Sequence, residues 1–203
     1  MKTAQPKYKG WTLFLDRDGV LNKRLPADYV KKPEEFIWED GALDGLAILG
    51  ELFETIVVVT NQQGIGKRLM TEDDLEKIHS KLLNEARDKN GRIDKIYHSP
   101  ALSESQNFFR KPAIGMGLLA KKDFPNIQFK KSIMAGDTIS DMLFGRRLKM
   151  KTVLISPGNS EAREHSRLID WCFKSLLDFA GFAKNHPEQL FKNKPDRQIK
   201  HEE

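Results

Sequence analysis

Thr55–Thr60 reads TIVVVT, six β-branched residues in a row. A strand with one wet face alternates apolar and polar residues, so an unbroken run of this kind marks a strand covered on both faces. Upstream, Gly41–Glu54 sets Leu43, Leu46, Ala47, Leu49, Leu52 and Phe53 at helical spacing. Before that, Trp11–Asp16 (WTLFLD) reads as another strand, followed by a polar loop rich in Lys, Pro and Asp. Downstream, Thr71 with Asp74 makes a capping-box pattern with Asp in place of the preferred Glu. The helix it opens carries Leu75, Ile78, Leu82, Leu83 and Ala86 on one face. Ile93–His98, Ser132–Gly136 and Thr152–Ile155 follow as strands, with helices over Ala113–Asp123 and Ile139–Leu148. Strands alternating with helices predict an α/β fold: a doubly wound, Rossmann-like parallel sheet with helices on both faces.

At 203 residues the chain suits one well-cored domain, expected over 1–185, with a polar and disordered tail over 186–203. Hydrophobic residues at 39% and charged residues at 31% point to no special class. No apolar run is long enough to span a membrane, and MKTAQPKYKGW lacks the apolar core of a signal peptide, so a cytoplasmic location is expected. The single cysteine, Cys172 between Trp171 and Phe173, fits a reduced compartment and reads as buried and structural. The net charge of +5 is spread along the chain, which argues a solvated basic surface rather than a nucleic-acid groove. A small anionic partner would suit it equally, and a monomer is expected.

Ligands of such sheets bind beyond the carboxyl ends of the strands. The residues due there are Asp16 with Asp18, Thr60 with Asn61, and Asp137 just past Gly136. Hard cations such as Mg²⁺ prefer oxygen ligands, and crowded carboxylates repel one another unless a cation lies between them. Asp16-x-Asp18-Gly is not an EF-hand, because Val20 and Ala27 stand at its fifth and twelfth positions. No Walker-type phosphate loop occurs. Gly115, Gly117 and Ala120 spell G-x-G-x-x-A, but they follow Arg110-Lys111-Pro112 rather than a strand and read as helix-start packing.

LFLDRDGVLN, VVVTNQQGIG, FRKP and AGDTISDM, in that order, resemble the four motifs of the haloacid dehalogenase superfamily of phosphatases. The resemblance runs from about Trp11 to Ile155. The longer strings DRDGVLN, DYVKKPEEFIWEDGA and TNQQGIG are similar to a narrower branch, the D-glycero-D-manno-heptose 1,7-bisphosphate and histidinol-phosphate phosphatases. The resemblance implies Asp16 as the nucleophile that forms an aspartyl-phosphate. It implies Asp18 as the general acid and then base. Thr60 would bond a phosphoryl oxygen, helped by backbone N–H groups near Asn61 and by Gln62, and Lys111 would neutralise charge. Asp16, Asp137 and the backbone carbonyl of Asp18 would hold Mg²⁺, and Asp141 would steady Lys111 or a metal-bound water. Taken singly, each residue has an ordinary reading: Thr60-Asn61 as a loop cap, Lys111 as a surface lysine, Asp137 and Asp141 as helix-start carboxylates. Their joint order is what carries the argument. His79 and His98 read as structural or exposed.

Many members of that branch carry a zinc loop between the second and third motifs. Here the stretch is YHSPALSESQNFFRKP, in which His98 stands but no cysteine follows, so no zinc is expected. The 41 residues between Asp18 and Thr60, and the 50 between Thr60 and Lys111, are mostly used by helix and strand. Neither interval has room for a separate cap domain. The loops Lys23–Lys32 and Gln62–Leu69 would then select the substrate, through Arg24, Tyr29, Lys67, Arg68 and Arg110. A small phosphorylated metabolite is the first function implied, a heptose bisphosphate ahead of histidinol phosphate. TNQQGIG and FRKPAIGM also resemble the phosphatase half of polynucleotide kinase 3′-phosphatases, the second reading. A non-catalytic phosphate-binding module is the third, disfavoured because every residue the chemistry needs is present.

Overall fold

The computed structural model of the chain describes residues 7–158 and 164–191. Its strands are β1 (Tyr8–Leu15), β2 (Phe53–Asn61), β3 (Lys95–Ser99), β4 (Ser132–Gly136), β5 (Lys151–Ile155) and β6 (Trp171–Phe173). They form one parallel sheet in the order β3-β2-β1-β4-β5-β6. The helices are α1 (Ala42–Leu52), α2 (Gln63–Gly66), α3 (Glu72–Asp88), α4 (Gly115–Asp123), α5 (Ile139–Arg147), α6 (Leu176–Asn185) and α7 (Pro187–Phe191). This is the doubly wound α/β sheet that the pattern predicts.

The apolar run of β2 divides by parity, as a pleated strand requires. Ile56 and Val58, with Leu13 and Leu15 of β1, pack into a layer with Leu46 and Leu49 of α1, Leu75 and Ile78 of α3, and Phe179 of α6. Val57 and Val59, with Phe14 of β1, face the other way onto Met116 and Ala120 of α4 and Phe144 of α5. Each fully buried side chain of this kind stabilises the fold by roughly 1.5–3 kcal/mol. The sheet therefore has no wet face to signal by alternation. No helix among the described residues is long and apolar enough to cross a membrane.

The order in which strands are added reverses between β1 and β4, because β2 and β3 lie to one side of β1 while β4, β5 and β6 lie to the other. In such sheets the crevice at that switch point is the ligand site. Leu15 pairs with Val58 on one side and Ala135 on the other, so the next residues out, Asp16 and Gly136-Asp137, emerge side by side. The segment joining β1 to β2 holds α1, and that joining β2 to α4 holds α2, α3 and β3, with no inserted cap domain in either.

Three expectations at the C-terminal end need correction. Cys172 lies on the short edge strand β6 and is only partly buried, because an edge strand is covered on fewer sides than the centre of a sheet. Ser175, accepting a hydrogen bond from the Asp178 N–H, starts an α6 that the sequence reading did not contain. Regular structure continues past 185 into α7, where Leu190 is fully buried, so the first residues of the stretch expected as a polar tail pack against the core. Residues 192–203 lie outside the described part. Among the smaller boundary shifts, Phe53, expected in the helix, forms the first, buried residue of β2.

Candidate active site

Immediately after β1 the chain makes a tight turn in which the Arg17 carbonyl accepts from the Leu21 N–H at 2.8 Å and the Asn22 N–H at 3.1 Å. Gly19 in that turn has φ +85° and faces the Asp137 carboxylate so closely that a Cβ would collide with it. The turn thus lets β1 and β4 bring Asp16 and Asp137 together. Gly136 is equally confined, against the Asp141 side chain. Asp141 lies in the first turn of α5, where its Oδ2 accepts from the Thr138 N–H at 3.1 Å and the Thr138 hydroxyl at 2.7 Å. Thr138 takes the N-cap position and leaves the Asp137 side chain out of the capping.

Lys111 joins the segments. Its Nζ lies 2.8 Å from Asp16 Oδ1 and 2.6 Å from Asp141 Oδ1, with the side chain 2% exposed. Burial is the largest influence on this lysine and works downward, but the two carboxylates outweigh it and raise its pKa, so it stays charged. Its backbone is clasped by Asn61 at the end of β2: the Lys111 N–H donates to Asn61 Oδ1 at 2.9 Å, and Asn61 Nδ2 donates to the Lys111 carbonyl at 3.0 Å. Asn61, expected beside the phosphoryl group, thus uses its side chain to hold Lys111 in place.

Asp16, Asp137 and Asp141 each offer a carboxylate oxygen, and these lie within 4.8 Å of one another. Burial first, then the Asp141 charge, pushes Asp16 up to about 6 against the pull of Lys111. Burial and the Asp16 charge push Asp137 up to about 8, opposed by Arg24, whose Nη2 lies 2.8 Å from Asp137 Oδ1. Buried carboxylates that hold protons this strongly fit a hard divalent cation, which relieves both burial and repulsion. The Asp18 carboxylate is not part of that group. Arg17 Nη2 at 2.9 Å and Asn22 Nδ2 at 3.0 Å donate to its Oδ1, and Gln62 Nε2 at 2.8 Å donates to its Oδ2. Burial works upward on Asp18, but Arg17 and these hydrogen bonds hold it below the usual carboxylate range. Its backbone carbonyl is the atom on the Asp137 side, with Arg24 Nη2 reaching both at 3.4 and 2.8 Å.

Thr60, Asn61, Gln62, Arg24, Tyr29, Lys67, Arg110 and Lys111 line one cleft of about 590 Å³ with Asp16 and Asp18 at its floor. Arg68 does not line it. That residue is exposed, at φ +59° just past α2, and Lys67 is the cation of that loop that faces the cleft. Tyr29 accepts from Gln63 Nε2 at 2.7 Å and lies under Lys67 Nζ at 5.4 Å, tying the two selecting loops together. Arg110 Nη1 donates to the Ala101 carbonyl at 2.9 Å, which fixes the guanidinium at the cleft wall. His98 pairs with Glu72 at 2.8 Å at the end of β3, the sheet edge opposite the one that carries Cys172.

Arg17 is the residue that sequence reasoning missed. Its side chain is 1% exposed and bridges Asp18 to His79 Nε2, at 3.4 Å from Nη1. Burial, then the Arg17 charge, lowers His79 to about 3, so its ring stays neutral beside the guanidinium. The signal was present: a cation between two aspartates in a turn next to a buried strand must find a partner.

Known proteins agree with this geometry. The family model described as polynucleotide kinase 3 phosphatase matches residues 13–185. A D-glycero-alpha-D-manno-heptose-1,7-bisphosphate 7-phosphatase of Campylobacter jejuni is 36% identical over 172 residues, 85% of this chain and 95% of the relative. A D-glycero-beta-D-manno-heptose-1,7-bisphosphate 7-phosphatase of Pasteurella multocida is 32% identical over 179 residues, 85% of this chain and 96% of the relative. Among solved structures, the D,D-heptose 1,7-bisphosphate phosphatase of B. bronchiseptica, complexed with magnesium and phosphate, aligns with a TM-score of 0.73 at 26% identity. That alignment covers 84% of this chain and 96% of the other. A parallel sheet with an aspartate cluster and a lysine at its switch point is the arrangement of haloacid dehalogenase-like phosphatases. The chain belongs to the polynucleotide kinase 3 phosphatase family within that class.

Proposed function

We propose that this phosphatase removes the phosphate at position 7 of a D-glycero-D-manno-heptose 1,7-bisphosphate, in the cytoplasm, as a one-domain monomer. The observation that carries the reading is the Asp16–Lys111–Asp141 chain at the floor of a capless cleft walled by Arg24, Lys67 and Arg110. Two relatives above 30% identity that cover nearly their full length carry this activity in their names, one for each anomer. Asp16 attacks phosphorus, forming an aspartyl-phosphate as the bond to the sugar oxygen breaks. Asp18 gives its proton to that oxygen, then takes one from the water that attacks the phospho-aspartate, which restores both residues. An arriving phosphate dianion raises the proton affinity of Asp18, so the proton is held when it is needed. Lys111 and the Thr60 hydroxyl neutralise and orient the phosphoryl oxygens. Asp16, Asp137 and the Asp18 carbonyl would hold Mg²⁺, which when bound supplies charge neutralisation for the phosphoryl group and its attacker.

The substrate is tested by comparing kcat/KM on heptose 1,7-bisphosphate, histidinol phosphate and a 3′-phosphorylated oligonucleotide at two salt concentrations. The bisphosphate is expected to lead. Arg110→Ala is expected to raise KM for it at least about tenfold while changing a simple monophosphate little, because a guanidinium grips a second phosphate through paired hydrogen bonds. If the oligonucleotide leads by tenfold or more, a gap of about 1.4 kcal/mol, and weakens steeply with salt, the metabolite reading fails.

Metal dependence has its own expected outcome. EDTA should abolish turnover, Mg²⁺ should restore it, and elemental analysis should find no stoichiometric zinc. In EDTA the folded protein binds more protons than the unfolded chain between about 6.5, above which neutral His79 no longer opposes it, and about 8, through Asp137. Stability must therefore fall as pH rises through that window. Thermal melts should show this fall, and Mg²⁺ should raise the melting temperature most at the upper end. A melting temperature that climbs with pH through that window in EDTA would contradict the assignment.

A further inference from the structure

We propose that Gln62 is a positioning residue, whose one amide nitrogen sets the acid–base carboxylate of Asp18 at a fixed place relative to the phosphoryl-binding hydroxyl of Thr60. Gln62 Nε2 lies 2.8 Å from Asp18 Oδ2 and 2.8 Å from Thr60 Oγ1, so its two protons serve two different parts of the reaction site. The residue is 1% exposed, and its backbone N–H donates to the Ser99 carbonyl at 2.7 Å, which anchors it to β3. A side chain so enclosed and doubly engaged has no donor left over for substrate. Opposite it, Arg17 and Asn22 hold Asp18 Oδ1, at 2.9 and 3.0 Å. The carboxylate is thereby gripped at both oxygens, and Gln62 is the one of these partners that also reaches the second strand. The amide is neutral, so it donates to the carboxylate without the strong bias against proton uptake that a lysine in its place would impose.

This inference rests on Asp18 being the acid, and general-acid catalysis leaves a signature in the leaving group. An alkyl phosphate expels a strongly basic alkoxide and needs the proton. p-Nitrophenyl phosphate expels a stable phenolate and needs it little. The measure is kcat/KM, which reports the steps through formation of the phospho-aspartate and is blind to its later hydrolysis. Gln62→Met keeps length and burial but has no donor. It is expected to lower kcat/KM on a sugar phosphate by about 10²-fold, within the range of proton-transfer contributions, and on p-nitrophenyl phosphate by less than about threefold. Retained turnover of the aryl ester also proves the variant folded. Gln62→Glu, of the same volume but unable to donate when ionised, gives the same split if Gln62→Met does not fold. An equal loss on both esters, or a rise in KM with kcat intact, overturns the proposal and returns Gln62 to a structural or substrate-binding role. Asp18→Asn separates the two levels of the argument. If Asp18→Asn itself lacks the leaving-group split, the acid assignment fails; if it has the split and the Gln62 variants do not, only the positioning role fails.

Discussion

Asp16→Asn is expected to lower kcat by at least about 10³-fold, roughly 4 kcal/mol of barrier, while leaving the protein folded. The amide fills the volume of the carboxylate but cannot form the acyl-phosphate intermediate. Folding should survive because the carboxylate is itself a strained occupant. Burial and Asp141 hold it up at about 6, so a neutral isostere removes a penalty as well as a partner for Lys111. Lys111 keeps Asp141 at 2.6 Å. Acid-quenched wild type incubated with radiolabelled substrate should retain label on the protein, and the variant should retain none. A kcat within about tenfold of wild type, or label that persists on the variant, rules out Asp16 as the nucleophile.

Lys111→Met is expected to abolish turnover and, unlike the first change, to weaken the fold. Breaking a buried ion pair by removing one partner strands the other, at a cost of about 3–5 kcal/mol. Here the lysine serves two carboxylates, at 2.8 and 2.6 Å, with its side chain almost wholly buried. The loss should depend on pH in a definite direction. Asp16 is already raised with Lys111 present, and without the lysine's downward pull it rises further. A carboxyl whose folded pKa lies above its unfolded value contributes stability at low pH and loses it as pH rises through the folded value. Urea unfolding in EDTA should therefore find the variant closest to wild type near about pH 5 and furthest from it near about pH 8. A deficit that is equal at both, or larger in acid, would mean that Lys111 supports the fold by packing rather than by charge.

The two variants probe residues that the linear sequence already marked, and the reason is chemical. Asp16, Thr60 and Asp137 each follow a stretch of apolar residues that can only be a buried strand, so the carboxyl end of the sheet receives them whatever the loops do. The run TIVVVT, the strand WTLFLD and their alternation with helices determined the doubly wound sheet, and the lack of spare residues between motifs determined the absence of a cap. What each polar side chain does at that edge was decided only in three dimensions. Asn61 and Gln62 sit next to each other in the sequence, yet one clasps Lys111, 50 residues on, and the other reaches back 44 residues to Asp18. Arg68 and Lys67 are likewise neighbours, and a single left-handed residue turns one out of the cleft that the other lines. Arg17 vanishes into the interior because His79, 62 residues away on α3, packs over it. Strand formation depends on local pattern and is written into consecutive residues. The direction of a side chain past the strand end depends on which distant segment arrives beside it, and that is set by the crossing of β1, β2 and β4 and not by any local stretch of chain.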